Sequence, residues 1–350
     1  MQKRRLGKSD IFVSPIGMGC WAYGGGEYWG KQNQDDVNRV VSLALDMGIN
    51  LFDTAEMYNN GASEISLGQA LRGRREEAVI CSKVSPSNAY EGELQKHCEA
   101  SLKRLNTDYI DVYMLHWPLD PISIKHFTDD PKKISEPPAV QEAFGALLDL
   151  KKQGKIREIG ISNFGHEQMK EVLDTGAEPV MNEMTYNILS RAIEKEVLPY
   201  CIEKDISIVG SMALQQGLLA GIYQKPEDVP PHQAHSRHFR HERGKGTSRH
   251  GEAGAETEVF EVVQRLREIA DGMGIHIAQL SIAWVLAKTG IACTLVGSRN
   301  EKELLSNIKA AELNLTTELV REIDRLSEPV LEKLGHNPDY YENPKNSRIR

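Results

Sequence analysis

Short, nearly unbroken apolar runs alternate along this chain with longer stretches of amphipathic helical pattern. That rhythm constrains the fold more than any other feature. The runs fall at 15–19, 50–53, 79–83, 109–115, 156–161, 179–182, 206–210 and 292–296, eight in all. Runs of this kind fit strands buried on both faces. Helical patterns lie between them, at 35–47, from Ser63 to Leu71, and at 93–105, 137–153, 166–174, 193–204, 256–273, 277–288 and 301–311. In the first, Val37, Val40, Val41 and Ala44 share a side, and Gly48 stands where a helix ends. A strand followed by a helix, repeated eight times, predicts an α/β fold closed as a (β/α)8 TIM barrel. The rival is a doubly wound open sheet, which wants a glycine-rich turn opening straight into a helix. Here Gly24, Gly25 and Gly26 run into Glu27, Tyr28, Trp29 and Gly30, which reads as a loop.

Residues 1–12 read as a β-hairpin around Gly7–Asp10, placed to plug the barrel's bottom. Long loops at 118–138 and 221–255 leave the carboxyl ends of strands, where barrel active sites sit. One barrel domain is expected over 1–335. Residues 336–350 form a polar tail, either disordered or laid over the barrel mouth or a neighbouring subunit.

The chain has 350 residues, 40% hydrophobic and 26% charged, enough for a large core without staples. A net charge of −8 argues against a general nucleic-acid partner, though not against a local phosphate pocket. Cys20, Cys81, Cys98, Cys201 and Cys293 are scattered, with no CxxC pair. Reduced thiols in a cytoplasm are the simpler reading, with no disulfide framework and no metal. No apolar run reaches membrane-spanning length, and the basic start leads into no signal-peptide stretch. A cytoplasmic protein acting on a small molecule is expected, with no membrane partner and with homo-oligomers left open.

Asp53 ends the second run, Lys83 the third, and His116 follows the fourth; Tyr58 lies five residues beyond Asp53. In a barrel these strand ends are neighbours on one rim. Singly, each has an ordinary explanation: a helix cap, a surface charge, a buried histidine, a packing tyrosine. Jointly they point to proton transfer. A free tyrosine, with a pKa near ~10, is a poor acid at neutral pH. A nearby ammonium lowers that value. Asp53 would then hold Lys83 charged, and His116, neutral, would aim a carbonyl oxygen.

The segments FDTAEMYNNGASE, ICSKV, YMLHWP and GISNF resemble the successive signatures of the aldo-keto reductase superfamily, and the likeness runs from about Arg5 to Ser327. The branch it most resembles holds general-stress and inositol-type dehydrogenases and potassium-channel β subunits. The resemblance implies a (β/α)8 barrel, reduction of a carbonyl with NADPH (NADH being the alternative), and a tetrad of Asp53, Tyr58, Lys83 and His116. It implies that Ser162 and Asn163 hold the nicotinamide carboxamide, with Glu183 and Ser211 beside the ring. The loop LQQGLLAG, including Leu214, Gln216, Gly217, Leu219 and Gly221, would embrace the pyrophosphate. Gly297, Ser298, Arg299, Glu303 and Asn307 would receive the adenosine end, at a helix N-terminus suited to anions.

Three positions depart from the family pattern. Glu183 stands where glutamine is usual. The run from Ser211 to Leu214 lacks the usual aromatic platform. Glu303 replaces glutamine or arginine, which weakens the case for NADP that Arg299 makes. Trp21, Tyr28, Trp29 and Trp117 are the expected substrate walls, suited to a sugar or sugar-derived carbonyl. The loop at 221–255 reads first as a solvated loop. Two other functions stay open: a cofactor-binding regulatory subunit, and a redox-neutral epimerase that retains its nicotinamide.

Overall fold

The structure is a computed structural model and describes residues 1–350. Strands β1 (Arg4–Arg5) and β2 (Phe12–Val13) pair antiparallel as the expected hairpin. Eight further strands follow: β3 (Ile16–Gly19), β4 (Leu51–Asp53), β5 (Val79–Val84), β6 (Ile110–Leu115), β7 (Ile156–Ser162), β8 (Met181–Thr185), β9 (Ser207–Ser211) and β10 (Ile291–Val296). They pair in parallel and close where β10 meets β3. Each apolar run of the sequence overlaps one of them, least at β8, which extends three residues past its run.

Successive side chains of a strand point to opposite faces. Every second residue therefore enters the barrel. Leu51, Val79, Cys81, Val112, Met114, Met181, Val209, Cys293 and Leu295 form one buried interior cluster with Leu6, Ile11 and Val13 of the hairpin. The hairpin thus plugs the bottom with apolar side chains. Gly17 belongs to the same inward face: a Cβ there would lie 2.7 Å from Leu51 and 2.9 Å from Cys293. Continued two residues upward, the inward positions become Asp53, Lys83, His116, Glu183 and Ser211. The apolar plug gives way to polar groups at the carboxyl ends.

Helices cover the outside, and most match the expected patterns. One long helix, Thr317–Leu334, was absent from them. Its Ile323, Ser327, Val330 and Leu334 are buried at helical spacing and pack towards helix Glu256–Gly272. The segment at 118–138 is not a plain loop. It carries two short helices, Pro121–Ile124 and Pro131–Ser135, capped by Asp120 and Asp130. No single helix is long and apolar enough to cross a membrane.

The tail at 336–350 is ordered against the barrel mouth. Arg348 and Asp339 form a buried two-pronged ion pair with both contacts at 2.7 Å. The Arg348 guanidinium also lies 3.7 Å from the centre of the Trp117 ring. Tyr340 accepts from the backbone N–H of Ala192, and its carbonyl accepts from that of Arg237. The Arg350 carbonyl receives the N–H groups of Glu167 and Gln168 at the start of helix His166–Asp174. Gly165 is required beneath it, because a Cβ there would sit 2.1 Å from that carbonyl.

Candidate active site

Lys83 is fully buried and organises the mouth. Its Nζ donates to Asp53 Oδ1 at 2.5 Å, to the Thr54 carbonyl at 3.1 Å and to Tyr58 Oη at 3.3 Å. Glu183 Oε2 lies 3.2 Å from the same nitrogen. That oxygen makes no aligned hydrogen bond, so it keeps lone pairs free in a buried place. The His116 ring stands edge-on to Tyr58, with centroids 5.6 Å apart. The structure therefore brings Asp53, Tyr58, Lys83 and His116 together, and adds Glu183 to them.

Tyr58 opens a tight turn, Tyr58–Gly61, ahead of helix Ala62–Ala70. Asn59 and Asn60 take left-handed backbone, with φ of 50° and 53°. The Asn59 amide donates to the carbonyls of Trp21 and Tyr23 at 3.1 and 3.0 Å. Ser63 bonds the Cys20 carbonyl and Thr54 Oγ1. These bonds fix the turn against the end of β3.

Burial works against the charge on Lys83, but Asp53 and Glu183 outweigh it and hold the ammonium above its usual range. Burial, then the charge on Glu183, push the Asp53 carboxyl well up, while Lys83 pulls the other way. Burial and the nearby ammonium hold His116 well below its usual value, so its imidazole is neutral. Tyr58 differs from expectation. Lys83 does favour its phenolate, but burial and the two carboxylates together exceed that pull, and the phenol lies above its ordinary range. The phenol therefore holds its proton.

The expected cofactor residues line the same rim. Ser162 is buried. Half-buried Asn163 (φ 63°) donates from Nδ2 to Ser162 Oγ and to the His116 carbonyl. Gly19 and Gly297 end the inward faces of β3 and β10, where a Cβ would make ordinary van der Waals contacts at 3.8–4.0 Å. The buried, unpartnered Glu183 Oε2 fits the amide N–H of a nicotinamide carboxamide. After Ser211, Met212, Gln215, Gln216 and Gly217 all have positive φ, which folds the 214–221 loop tightly. Gln216 donates to the Tyr28 hydroxyl at 2.8 Å, and Gly221 gives its carbonyl to Arg267. Leu219 is wholly buried, and half-buried Leu214 packs on the core. Ser298 and Asn307 bond each other in a buried pair. Arg299 donates to Gln32 and to the Lys31 carbonyl, while Glu303 accepts from the N–H of Arg299. Two charged side chains expected at the adenosine end are thus engaged within the protein.

Trp21 is stacked on Tyr28, meets Trp29 edge-on and lies 5.9 Å from Tyr58. These aromatics form one wall beside Tyr58. Trp117, also expected on the substrate side, has one ring face covered by Arg348. Two further mouth residues, Phe127 and Tyr341, escape sequence reasoning, and His232 comes from the segment read first as solvated. Phe127 faces His116 at 6.1 Å, His232 stands edge-on to Tyr28, and Tyr341 stacks on His235. The 221–255 segment is not simply solvated. Its His238 is buried between the Leu189 carbonyl, Ser190, Ser236 and Gln215, and Gln215 also bonds Asn187. No group of His, Cys, Asp and Glu is arranged to hold a metal ion.

A (β/α)8 barrel whose mouth gathers a tyrosine, a buried lysine–aspartate pair and a neutral histidine defines a class of oxidoreductase. The chain belongs to the aldo/keto reductase family, which it matches over residues 15–328. It is 30% identical to the NADH-specific methylglyoxal reductase of Escherichia coli (strain K12), over 90% of this chain and 95% of that protein. It is 29% identical to a probable voltage-gated potassium channel subunit beta of Arabidopsis thaliana, over 97% of this chain and all of that one. Among solved structures, an aldo/keto reductase from Klebsiella pneumoniae in complex with NADP and acetate superposes with a TM-score of 0.69 at 27% identity. The match covers 93% of this chain and 95% of that one.

Proposed function

We propose that this protein reduces a small aldehyde or ketone, with Tyr58 delivering the proton to the nascent alkoxide, and runs the reverse oxidation by the same path. One observation carries the reading. The Tyr58 hydroxyl lies 3.3 Å from an ammonium that is itself locked on Asp53 at 2.5 Å, beside a neutral imidazole. A bound nicotinamide dinucleotide supplies or accepts the hydride. NADPH is the first choice and NADH the second, since one relative is named NADH-specific and a structural neighbour holds NADP.

Ser162, Asn163, Glu183 and Ser211 would hold the nicotinamide end, the 214–221 loop the pyrophosphate, and the residues at 297–307 the adenosine end. His116 donates to the carbonyl oxygen and sets its direction. Lys83 stabilises the phenolate that Tyr58 becomes, and Asp53 keeps the lysine charged and still. Trp21, Tyr28 and Trp29 pack the substrate body, while Phe127 narrows the other side. A sugar-derived carbonyl suits a wall of this kind, and methylglyoxal, a three-carbon ketoaldehyde, is the substrate in a relative's name. All five cysteines are free and buried, in keeping with a reducing cytoplasm.

The test pairs a screen with a variant. Purified protein is offered methylglyoxal, sugar aldehydes and aromatic aldehydes with each cofactor. Tyr58→Phe should lower kcat by about 10²–10⁴-fold and leave cofactor affinity unchanged. Turnover that survives this change assigns the proton elsewhere. The channel-subunit relative supports a second reading, a regulatory barrel that binds cofactor. Tight cofactor binding with no turnover on any carbonyl would select it.

A further inference from the structure

We infer that Asp53 and Glu183 hold one proton between them, and that Glu183 is thereby a positioning residue that sets the proton supply of Lys83 and Tyr58. The inference rests on the reading of Tyr58 as proton donor.

Lys83 is the one cation in contact with either carboxylate, at 2.5 Å from Asp53 and 3.2 Å from Glu183. The lysine is fully buried, Asp53 is 3% exposed and Glu183 is 5% exposed. If all three were charged, the buried site would carry a net negative charge with no partner. Uncompensated charge in such a place is costly, and the site relieves it by taking up a proton. Two carboxyls around one ammonium share that proton.

The other titratable groups facing the pair do not supply an alternative. Burial pushes the thiols of Cys20 on β3's end, Cys81 on β5 and Cys293 on β10 upward, so they stay protonated and neutral. His116 is neutral, and Tyr58 keeps its proton. With glutamine in place of Glu183, Asp53 and Lys83 would balance as a simple ion pair and the extra proton would vanish. The carboxylate therefore changes the protonation of the site, besides whatever it offers a carboxamide.

During reduction the proton path balances. Tyr58 gives its proton to the oxygen of the former carbonyl. The tyrosinate takes one from the Lys83 ammonium. The resulting amine takes the shared proton from the Asp53–Glu183 pair. The pair, left as two carboxylates around a restored ammonium, recovers a proton from solvent. In oxidation each transfer reverses. Tyr58 is thus reloaded from inside the site rather than from water at the mouth.

The test uses the whole protein without added cofactor. Infrared spectra at neutral pH should show the C=O stretch of a protonated carboxyl, lost in Glu183→Gln and in Asp53→Asn. Absence of that band in the unsubstituted protein overturns the inference. A second readout is the pH profile of kcat. Glu183→Gln should remove one ionisation from it and shift the apparent pKa on the remaining limb by about one unit or more, the effect of a charge within a few ångströms. An unchanged profile alongside retained turnover also overturns it. A protein that shows the band but reduces no carbonyl refutes the proposed function, because the band is read without turnover.

Discussion

Asn59 holds left-handed backbone at φ 50°, which costs a residue with a Cβ roughly 1–2 kcal/mol. Its amide repays this by bonding two carbonyls of the loop that carries Trp21. The residue next to Tyr58 thus sets where the Trp21 loop, one proposed substrate wall, stands. Asn59→Ala should keep the strain and lose both bonds, destabilising by about 1–3 kcal/mol. Asn59→Gly should relax the strain and still lose the bonds. If the bonds matter for the wall, both variants raise KM by a similar factor, while only the alanine form melts clearly earlier. Equal KM in all three proteins would separate Asn59 from the substrate side. At this scale much was legible. Asp53, Lys83 and Glu183 all fall two residues above apolar inward positions, so strand period alone aims them at one centre. What periodicity could not show was distance. The closeness of Glu183 to Lys83 depends on β8 sitting across the barrel from β4 and β5, and on the lysine reaching inward. The net effect on Tyr58 is hidden for a related reason: burial raises the phenol first, and Asp53 and Glu183, brought near by the fold, add to it beyond what Lys83 takes away.

Among elements, the segment at 221–255 shows why loops resist sequence reading. Its histidines and arginines look solvated, yet His238 is fully buried and Arg237 nearly so. Buried polar groups pair with partners far along the chain, and no local pattern announces them. The helix Thr317–Leu334 was hidden by a different feature, since Pro329 interrupts an otherwise regular stripe. His238 yields a pH prediction. Burial holds its pKa at about 4, against an ordinary 6.5. Its neutral ring can donate from one nitrogen to the Leu189 carbonyl and accept on the other from Gln215. The folded state therefore resists a proton that the unfolded chain accepts. This contribution is complete above pH 6.5 and is lost progressively as pH falls towards about 4. The full loss is on the order of 3 kcal/mol, at about 1.4 kcal/mol for each pH unit between the two values. Hydrogen exchange at pH 7.5 and pH 5 should show the segment loosening at the lower pH, and His238→Gln should flatten that dependence. Protection that is the same at both pH values would place the acid sensitivity elsewhere.

For the molecule as a whole, the tail ties together the segments that enclose the mouth. Glu342 binds Arg249 of the segment after β9 and lies 3.3 Å from His126 of the segment after β6. Tyr341 stacks on His235, and Arg350 caps helix His166–Asp174. At the centre of this clasp, Arg348 joins Asp339 to the ring of Trp117, the residue after His116. A buried pair of this kind adds little net stability when whole, but losing one partner strands the other charge. Arg348→Ala should therefore cost about 3–5 kcal/mol. Pairing it with Asp339→Asn should recover most of that, since no charge is then left bare. Thermal melts of the two single variants and the double give the coupling directly. The clasp also makes a kinetic claim. With Arg348 gone, the tail should release, protease cleavage within 221–255 should accelerate, and KM for the carbonyl should rise while Tyr58 and Lys83 stay in place. A double variant that regains its melting temperature but keeps the raised KM would show that the arginine shapes the mouth through Trp117, beyond holding the tail down. If the double variant regains both, the clasp acts on the mouth only by keeping the tail folded.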